Sequence, residues 1–423
     1  MIPGTTIVLW QLIAALALPA VADDSEAVLE HIRAKASEIK EELIEVRRQI
    51  HMYPEVSGQE EKTAALVADH LRRLGIEVET GVGGHGVVGI LRGSRSGPVV
   101  AYRADMDAVR SPVVGDSPYK SRVAGVKHVC GHDAHVAVGL GVAEILASLR
   151  EKLPGTVKFL FQPAEENMQG ARAMIEDGAL ENPTPEVIFS VHTLPLPVGF
   201  IGVPPGVGLT GWDPFRIVIE GKEKKREATA NEVRAALVAL STVPTMLNPA
   251  NMASLLEALT QESGPFEDFL LVTGVRKTKQ EGRIVLEGLL RAAGPEVSER
   301  GRQLIRETIE TIAGKTRASV EFGEHFPDMH SDPDLVNAAI GPIEAAIGQG
   351  KTILIRASAP YFGEDFALFQ ERIPGAMFFL GAANPEKGIT AFNHSPDYDL
   401  DEAALEVGAA AMSSVLFDYL DRP

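Results

Sequence analysis

The sequence predicts an α/β fold with an inserted α+β domain, and two features of the chain lead to this prediction. Short apolar runs alternate with helix-like stretches over residues 23–212 and again over 328–423, as in a sheet layered with helices. Residues 213–327 instead combine several strand-like runs with two helix-like stretches. We therefore expect a leader over residues 1–22, a main domain in two parts, 23–212 and 328–423, and a smaller domain, 213–327, between them.

The first part of the main domain alternates helices and strands. Apolar residues recur at three- and four-residue steps between Val28 and Ile50, which predicts a long first helix. A second helix is expected over about Glu60–Leu74, ending at Gly75. Strands are then expected at Val99–Tyr102, Val157–Phe161 and Val187–Val191, with helices at Ala134–Leu149 and Ala171–Ile175. This order predicts a largely parallel sheet.

The remaining elements are read in the same way. In the inserted domain the predicted strands are Phe215–Glu220, Leu270–Val275 and Ile284–Leu290, and the predicted helices are Asn231–Val243 and Val297–Ile312. The charged run Lys222–Glu227 is interpreted as a solvated loop. In the last part, Ala376–Gly381 is a predicted strand and Asp401–Leu420 a closing helix.

Composition limits the classes of function. The chain has 423 residues and a net charge of −18, so a broad basic face for nucleic acid is excluded. Its single cysteine, Cys130, excludes an intramolecular disulfide.

Residues 1–22 are uncharged, and the apolar run Ile7–Leu18 is followed by the small residues Ala20-Val21-Ala22. This pattern is typical of a secretory signal peptide cleaved after Ala22, with an uncleaved anchor as the alternative. We expect a secreted or periplasmic protein without membrane contact after cleavage.

Two glycine-rich motifs imitate nucleotide sites. Residues 81–86 fit GxGxxG, but the strand-like run Val87–Leu91 follows where a dinucleotide site needs a helix, so we predict a hairpin turn. Residues 348–352 imitate a phosphate loop, but Ala345 stands where that motif needs glycine. Neither motif predicts nucleotide binding.

The densest set of chemically active residues is Lys127–His135. Cys130 and His132 flank Gly131, and both side chains can face one ion if the segment is a turn. Thiolate and imidazole suit zinc and its neighbours better than calcium or magnesium. The alternative is a buried free cysteine beside core histidines.

Further donors follow predicted strands or lie in loops. Glu165 and Glu166 come at the end of an apolar strand, where α/β sites form. Because adjacent residues point different ways, one carboxylate can bind a metal while the other acts as a general base. The alternative is a pair that caps a helix at the surface. His192 ends another strand, and His394 lies in a polar loop before the last helix; either one alone is usually structural.

In combination these residues resemble the M20 family of metallo-aminoacylases and carboxypeptidases, in its hippurate hydrolase and indole-acetyl-amino-acid hydrolase branch. The matching motifs occur in the family's order and lie in both parts of the predicted main domain. They are His51-Met52-Tyr53-Pro54-Glu55, Arg103-Ala104-Asp105-Met106-Asp107-Ala108, Cys130-Gly131-His132-Asp133-Ala134-His135, Phe161-Gln162-Pro163-Ala164-Glu165-Glu166, Gly363-Glu364-Asp365-Phe366 and Asn393-His394.

The resemblance implies a dinuclear-metal exopeptidase domain with a mixed sheet and a lid domain inserted at 213–327. It implies two divalent ions, with zinc favoured and manganese, cobalt or nickel as alternatives. The implied metal ligands are Cys130, His132, Glu166, His192 and His394. Glu165 is implied as the residue that takes a proton from the attacking water and passes it to the leaving amine. Asp105, Asp107, Asp133 and Asp365 are candidates for orienting the imidazoles, although surface or capping roles are equally open for Asp105 and Asp365.

The implied activity is hydrolysis of the amide bond of an N-acyl amino acid. A dipeptidase or carboxypeptidase acting on free-amine peptides is one alternative, and a metal- or ligand-binding relative with little turnover is another. The family's lids often pair two chains, so a homodimer is one expected assembly.

The lid departs from the family pattern. The family's Gly-Gly-His run is absent, and no histidine lies between His192 and His325. Either Lys225 or Arg226 replaces that histidine, or the substrate differs, or turnover is inefficient; we favour a different substrate. A related hypothesis is that Lys224, Lys225 and Arg226 pair with the substrate carboxylate.

Overall fold

The structure is a computed structural model that describes residues 24–245, 249–314 and 316–422. The leader predicted over residues 1–22 lies outside the described residues, so the cleavage site and export stay predictions. Within the described ranges the helices are α1 (Asp24–Met52), α2 (Glu61–Arg73), α3 (His132–Ser148), α4 (Gly170–Glu176), α5 (Glu223–Ala239), α6 (Pro249–Thr260), α7 (Pro295–Ala313), α8 (Pro333–Ile347), α9 (Phe366–Gln370) and α10 (Ala403–Asp421).

The strands fall into one large sheet, one smaller sheet and two short ribbons. They are β1 (Glu77–Val82), β2 (Gly86–Arg92), β3 (Arg95–Asp105), β4 (Val109–Arg110), β5 (Val126–Lys127), β6 (Pro154–Gln162), β7 (Val187–Pro197), β8 (Ile201–Val203), β9 (Gly208–Leu209), β10 (Asp213–Glu220), β11 (Leu270–Gln280), β12 (Arg283–Ala292), β13 (Arg317–Phe322), β14 (Met329–His330), β15 (Thr352–Leu354) and β16 (Gly375–Ala383).

The large sheet has eight strands in the order β1-β2-β6-β3-β7-β16-β8-β15. Its four central strands, β6, β3, β7 and β16, run parallel to one another. The β1–β2, β2–β6 and β16–β8 pairs are antiparallel, so the sheet is mixed and the expectation of a largely parallel sheet holds only at its centre. The mixed sheet that the family resemblance implies is therefore confirmed. The strand–helix alternation alone missed it, because the antiparallel pairs involve β2 and the short strand β8, which lack a helical crossover to mark their direction.

Alternating residues of the central strands fill two apolar cores on opposite faces of this sheet. Val100 and Tyr102 belong to the core that α1, α2, α3, α8 and α10 cover. Ala101, between them, belongs to the opposite core, which α4 and α9 cover. This alternation follows from the two-residue period of a strand.

Helix α10 is, among the described residues, long and apolar enough to cross a membrane by length and composition. Of its most apolar window, 72% is buried inside the structure. It packs against α1, α3 and α8, so its apolar composition is explained by its place in the core.

The smaller sheet is antiparallel, in the order β11-β12-β10-β13, and α5 and α7 pack on it around a third core. The charged run Lys222–Glu227 is not the predicted loop. Lys222 precedes α5, whose first turns contain Glu223–Glu227, although these residues remain largely exposed. Helix α6 and strand β13 were not predicted from the sequence.

Both glycine-rich motifs occupy turns. Residues 81–86 connect β1 and β2 as the predicted hairpin. Residues 348–352 connect α8 to β15, so no helix follows the glycines. The structure therefore agrees with rejecting both as nucleotide-binding motifs.

Candidate metal centre

The predicted donors meet at one edge of the large sheet because three neighbouring strands end there. The last residues of β3 and β6, Asp105 and Gln162, are paired in register. Glu165 and Glu166 lie in the turn after β6, and His192 lies midway along β7, just beyond its last residue paired with β3. The carboxyl ends of parallel strands are the usual position of sites in α/β sheets.

The turn before α3 supplies two donors that face the same space. Gly131 has φ of 95°, and a Cβ there would lie 2.2 Å from Thr193 Oγ1. Only glycine fits this approach, so Gly131 is required between Cys130 and His132. Gly131 is the N-cap of α3, and Cys130 and His132 lie on either side of it.

Donor atoms from five side chains come close together. Cys130 Sγ lies 3.3 Å from His192 Nε2. His132 Nε2 and His394 Nε2 each lie 3.8 Å from Glu166 Oε1. Two sets of three residues, Cys130/His132/His192 and Cys130/Glu166/His394, each keep their donor atoms within 4.8 Å of one another. Cys130 is common to both sets.

His132 and His192 each use Nδ1 for a backbone hydrogen bond, which leaves Nε2 facing the other donor atoms. His132 Nδ1 donates to the Asp107 carbonyl oxygen at 2.8 Å, and His192 Nδ1 donates to the Thr193 carbonyl oxygen at 2.8 Å. The buried Nε2 atom of His132 has no hydrogen-bond partner among the described residues. His135 differs, because its Nδ1 donates to Asp105 and its Nε2 accepts the Thr193 N–H, so neither nitrogen is free.

Buried negative charge surrounds these donors. The carboxylates that lie close to Arg103, His132 or each other are Asp105, Asp107, Glu165, Glu166, Glu364 and Asp365. Burial, together with Asp107, Asp105 and Glu364, raises the pKa of Glu166 to about 7, although His132 opposes the shift. Burial also raises the pKa of the Cys130 thiol. A divalent cation stabilises thiolates and carboxylates in such surroundings, so the residues present fit metal ions.

The Asp107 carboxylate accepts hydrogen bonds from the backbone of both glutamates. Its Oδ1 accepts the Glu165 N–H at 3.1 Å and its Oδ2 accepts the Glu166 N–H at 3.0 Å. Its Oδ1 also lies 3.3 Å from His132 Nδ1, and Ser57 donates to its Oδ2 at 2.6 Å. The Asp107 carboxylate therefore lies beside the His132 imidazole and also fixes the turn after β6.

Asp105 and Asp365 are both buried, so the surface alternative is wrong for each. Asp105 accepts from His135 at 2.6 Å and from Arg103 at 2.6 Å. Among the described residues no imidazole contacts Asp365, which corrects that prediction. Its carboxylate accepts from Arg103 at 3.2 Å, from Gln162 at 2.7 Å and from the Ala171 N–H in the first turn of α4 at 2.9 Å. Arg103, which also donates to Glu364 at 2.8 Å, holds three carboxylates together. Arg103 and Glu364 both stand in the sequence motifs, but their motifs alone indicate no role for either residue.

Asp133 orients an imidazole, but not that of a predicted ligand. Its Oδ2 accepts from His51 Nδ1 and Arg47 Nε, both at 2.7 Å. Asp133 thereby connects α3 to the end of α1, which explains the position of His51 in the first motif.

The loop that contains His394 is fixed against the Cys130 turn. The His394 N–H donates to the Val129 carbonyl at 2.7 Å. Asn393 Nδ2 donates to the carbonyl oxygens of Cys130 and Thr193. Ala164, Met168 and His394 have φ of 55°, 59° and 67°, and such strained backbone is typical of functional sites.

A cavity of about 340 Å³ opens beside the donors. Cys130, Glu165, Glu166, His192 and His394 lie at one end. The rest of its wall is mainly apolar and includes Leu194, Leu209, Tyr361, Phe362, Phe379 and Phe392. In the described part of the chain no lysine or arginine lines this cavity.

Lys224, Lys225 and Arg226 do not lie at this cavity. They are on α5 of the smaller sheet, where Lys225 borders a different cavity and Arg226 donates to the Gly221 and Gly282 carbonyls. Within a single chain these side chains do not line this cavity, and the hypothesis that they pair with the substrate carboxylate stays a prediction.

Sulfur, imidazole and carboxylate donors at the strand ends, with a second carboxylate beside them, define a metallohydrolase type of centre. The model of peptidase family M20/M25/M40 matches residues 101–418, and the chain belongs to this family.

Two curated relatives and one solved structure show the extent of the similarity. Thermostable carboxypeptidase 1 of Saccharolobus solfataricus is 32% identical over 397 residues, which is 91% of this chain and 97% of the relative. N-acetylcysteine deacetylase of Bacillus subtilis is 34% identical, covering 87% of this chain and 94% of the relative. The crystal structure of Bacillus subtilis YXEP, a dinuclear metal binding peptidase, matches with a TM-score of 0.75 and 31% identity, covering 91% of this chain and 99% of that one.

Proposed function

We propose that this protein hydrolyses the amide bond of N-acyl amino acids with an apolar acyl group. The observation that carries the proposal is the position of Glu165 beside the converging donors, at one end of an apolar cavity. Two relatives that act on related bonds, a carboxypeptidase and an N-acetylcysteine deacetylase, support the reaction class.

Five side chains would hold two divalent ions: Cys130, His132, Glu166, His192 and His394. Their free nitrogen, sulfur and carboxylate atoms suit zinc, which we propose as the bound metal. When bound, the ions supply Lewis acidity that lowers the pKa of water and stabilises negative charge on the substrate oxygen.

Glu165 is suited to move the proton. Burial, together with Glu364 and Glu166, raises the pKa of its carboxyl well above the ordinary range, although His132 opposes the shift. As the water oxygen bonds to the carbonyl carbon, Glu165 takes the proton that the water loses. When the C–N bond breaks, Glu165 returns this proton to the amine nitrogen, which leaves a free carboxylic acid and a free amino acid.

The cavity lining assigns the two halves of the substrate. Burying a carboxylate without a cation is costly, and no lysine or arginine of the described residues lines the cavity. The carboxylate-bearing amino acid therefore stays toward solvent, and the apolar wall receives the acyl group.

The test is hydrolysis by the zinc- or manganese-loaded protein from Asp23 over a panel of N-acyl amino acids and matching dipeptides. We expect turnover of N-acyl amino acids, lost in Glu165→Gln with metal content retained. The exposed Glu41→Gln is the matched control and should keep its activity. Preference for the dipeptides would establish a peptidase instead, and metal binding without any turnover would overturn the proposed function.

We also propose that two chains associate through the smaller sheet domain, as the family resemblance implies. Its sheet has two edge strands, β11 and β13, and unpaired edges offer backbone groups to a second chain. Sedimentation equilibrium checks this: a dimer is expected, and a monomer at micromolar concentration contradicts it.

A further inference from the structure

The wall of the cavity includes the aromatic side chains of Tyr361, Phe362 and Phe392, which are held in different ways. Phe362 and Phe392 stack on each other with ring centroids 5.4 Å apart. The Phe362 carbonyl also accepts from Arg291 at 2.9 Å, and Trp212 packs against Gly363, where a Cβ would lie 2.3 Å from its ring. Phe362 is therefore fixed from two directions.

Tyr361 makes fewer contacts than Phe362 with the other aromatic side chains of the cavity wall. Its hydroxyl makes no hydrogen bond to any atom of the described residues, and its ring does not stack on Phe362 or Phe392. Its ring contacts that of Phe266 edge to face, with the ring centroids 6.4 Å apart and an angle of 89° between the ring planes. Phe266 is buried and rests in turn on the fully buried Phe269, also at 6.4 Å.

Phe266 comes from the chain that connects α5 to β11, which are both elements of the smaller domain. Within this connection, residues 255–269 (the α6–β11 segment) leave the small-domain core. Leu255, Leu259 and Phe266 join the same apolar cluster as the cavity residues Leu209 and Phe379. The Arg356 N–H donates to the Leu259 carbonyl at 2.7 Å, which ties the segment to the stretch leading to Tyr361.

We propose that Phe266 is a specificity-determining residue, which limits the length of the acyl group by holding Tyr361 against the cavity. This inference rests on the proposed function for the identity of the ligand. Phe266 does not line the cavity, so it acts as a positioning residue. Removing its ring leaves space behind Tyr361, so that Tyr361 can move away and admit a longer acyl chain.

The effect is measured with N-butanoyl, N-octanoyl and N-dodecanoyl derivatives of the amino acid that the wild-type metal-loaded protein turns over fastest. One methylene group in a hydrophobic pocket changes kcat/KM by about 10- to 200-fold. For Phe266→Ala we expect the dodecanoyl-to-butanoyl ratio of kcat/KM to rise by at least about tenfold. The change should lie mainly in KM, with kcat for the butanoyl substrate within about threefold of wild type, because Glu165 and the ligands are untouched.

Phe322→Ala is the matched control, because Phe322 is a small-domain phenylalanine that contacts Phe215 at the same centroid distance of 6.4 Å, away from this cavity. Its ratio should equal that of wild type. Phe266→Leu keeps most of the apolar volume and should restore a ratio near wild type. It also provides a folded variant if Phe266→Ala does not fold.

A double-mutant cycle tests whether Phe266 acts through Tyr361. Tyr361→Ala should raise the same ratio, and adding Phe266→Ala to it should change the ratio little further. Additive effects, or equal ratios in wild type, Phe266→Ala and Phe322→Ala, would overturn the proposal while the proposed function stands.

If wild type hydrolyses none of the series, the proposed function fails instead. Calorimetric binding of butanoate, octanoate and dodecanoate to the same variants then decides the role of Phe266. A preference that shifts toward dodecanoate in Phe266→Ala supports it, and an unchanged preference overturns it.

Discussion

At the scale of single residues, Asp107 contacts Glu165, Glu166 and His132 of the candidate centre. It accepts the N–H groups of both Glu165 and Glu166 and lies beside His132. Asp107→Asn replaces one accepting oxygen with an NH₂ group that cannot accept these bonds. We expect a loss of about 10- to 100-fold in metal affinity together with lower kcat/KM.

Chelator-competition titrations of Asp107→Asn check this prediction. The exposed Asp69→Asn is the control. Asp69 pairs with Arg72, one helical turn away, and with no other charged side chain in the described ranges, so this change should leave metal affinity unchanged. Equal affinity in both variants would show that Asp107 does not position the centre.

Arg103 provides a second prediction at this scale, because it is fully buried and donates to Asp105, Glu364 and Asp365. Arg103→Met leaves these carboxylates without their cation. Breaking a buried ion pair by removing one partner costs about 3–5 kcal/mol, so the free energy of unfolding should fall by that order. Urea denaturation measures it, and a loss below about 1 kcal/mol would contradict a central role for Arg103.

At this scale the donors and Asp107 could be named from motifs, whereas the contact between Arg103 and Glu364 could not. Cys130, His132, Glu165 and Glu166 stand in short motifs whose spacing the sequence displays. Arg103 and Glu364 are 261 residues apart, and only the folded sheet brings them together. The cavity rings Tyr361, Phe379 and Phe392 likewise follow no periodic pattern that would mark a common wall.

At the scale of elements, the connections between the two sheets contain a pair of titratable side chains, Asp213 and His325. Asp213 begins β10, and His325 follows β13 on the return to the larger domain. His325 Nδ1 lies 2.9 Å from Asp213 Oδ1, which also accepts from Arg302 at 3.0 Å. The hydrogen bond to Asp213 raises the pKa of His325, against the effects of burial and Arg302.

We predict a pH-dependent contribution of this pair to stability. Because the folded-state pKa of His325 is raised, its stabilisation is fully present below the unfolded value of about 6.5 and is lost as pH rises through the folded value. Asp213, whose pKa is lowered, stays charged throughout this range. His325→Gln should therefore lower Tm by about 1–3 °C at pH 5.5 and by less at pH 8.5, since half-exposed pairs contribute little.

Thermal unfolding across pH 5–9 measures this difference. In an Asp213→Asn background the same His325→Gln change should lose its pH dependence. A constant difference in Tm at every pH would contradict the role of the pair.

Elements with a clear apolar period were predicted well, and those without one were not. The run from Val28 to Ile50 falls within α1. The start of α5 was missed because its first turns are nearly all charged and its buried positions begin only at Thr229. Strand β13 alternates between exposed and half-buried residues without a fully buried face, so its sequence carries little strand signal.

At the scale of the whole molecule, the candidate centre joins distant parts of the chain. Four proposed ligands lie between residues 130 and 192, and His394 comes from the loop before α10. The order of motifs predicted this convergence. The packing of the α6–β11 segment into the main core could not be predicted, because its apolar residues fit either domain equally well from sequence.

This convergence makes metal binding part of the stability of the fold. Ligands that bind only the folded state stabilise it by about 2.7 kcal/mol at a free concentration of one hundred times Kd. Removing the metals with a chelator should therefore abolish turnover and lower Tm, and restoring zinc should recover both. His394→Ala should reduce the difference in Tm between metal-loaded and metal-free protein, because the second part of the main domain then contributes no ligand.

His325→Ala is the matched control, because His325 is also a half-exposed histidine, and this variant should keep the full difference in Tm. A Tm that is the same with and without stoichiometric metal would show that the ligand atoms are held in place by the protein alone.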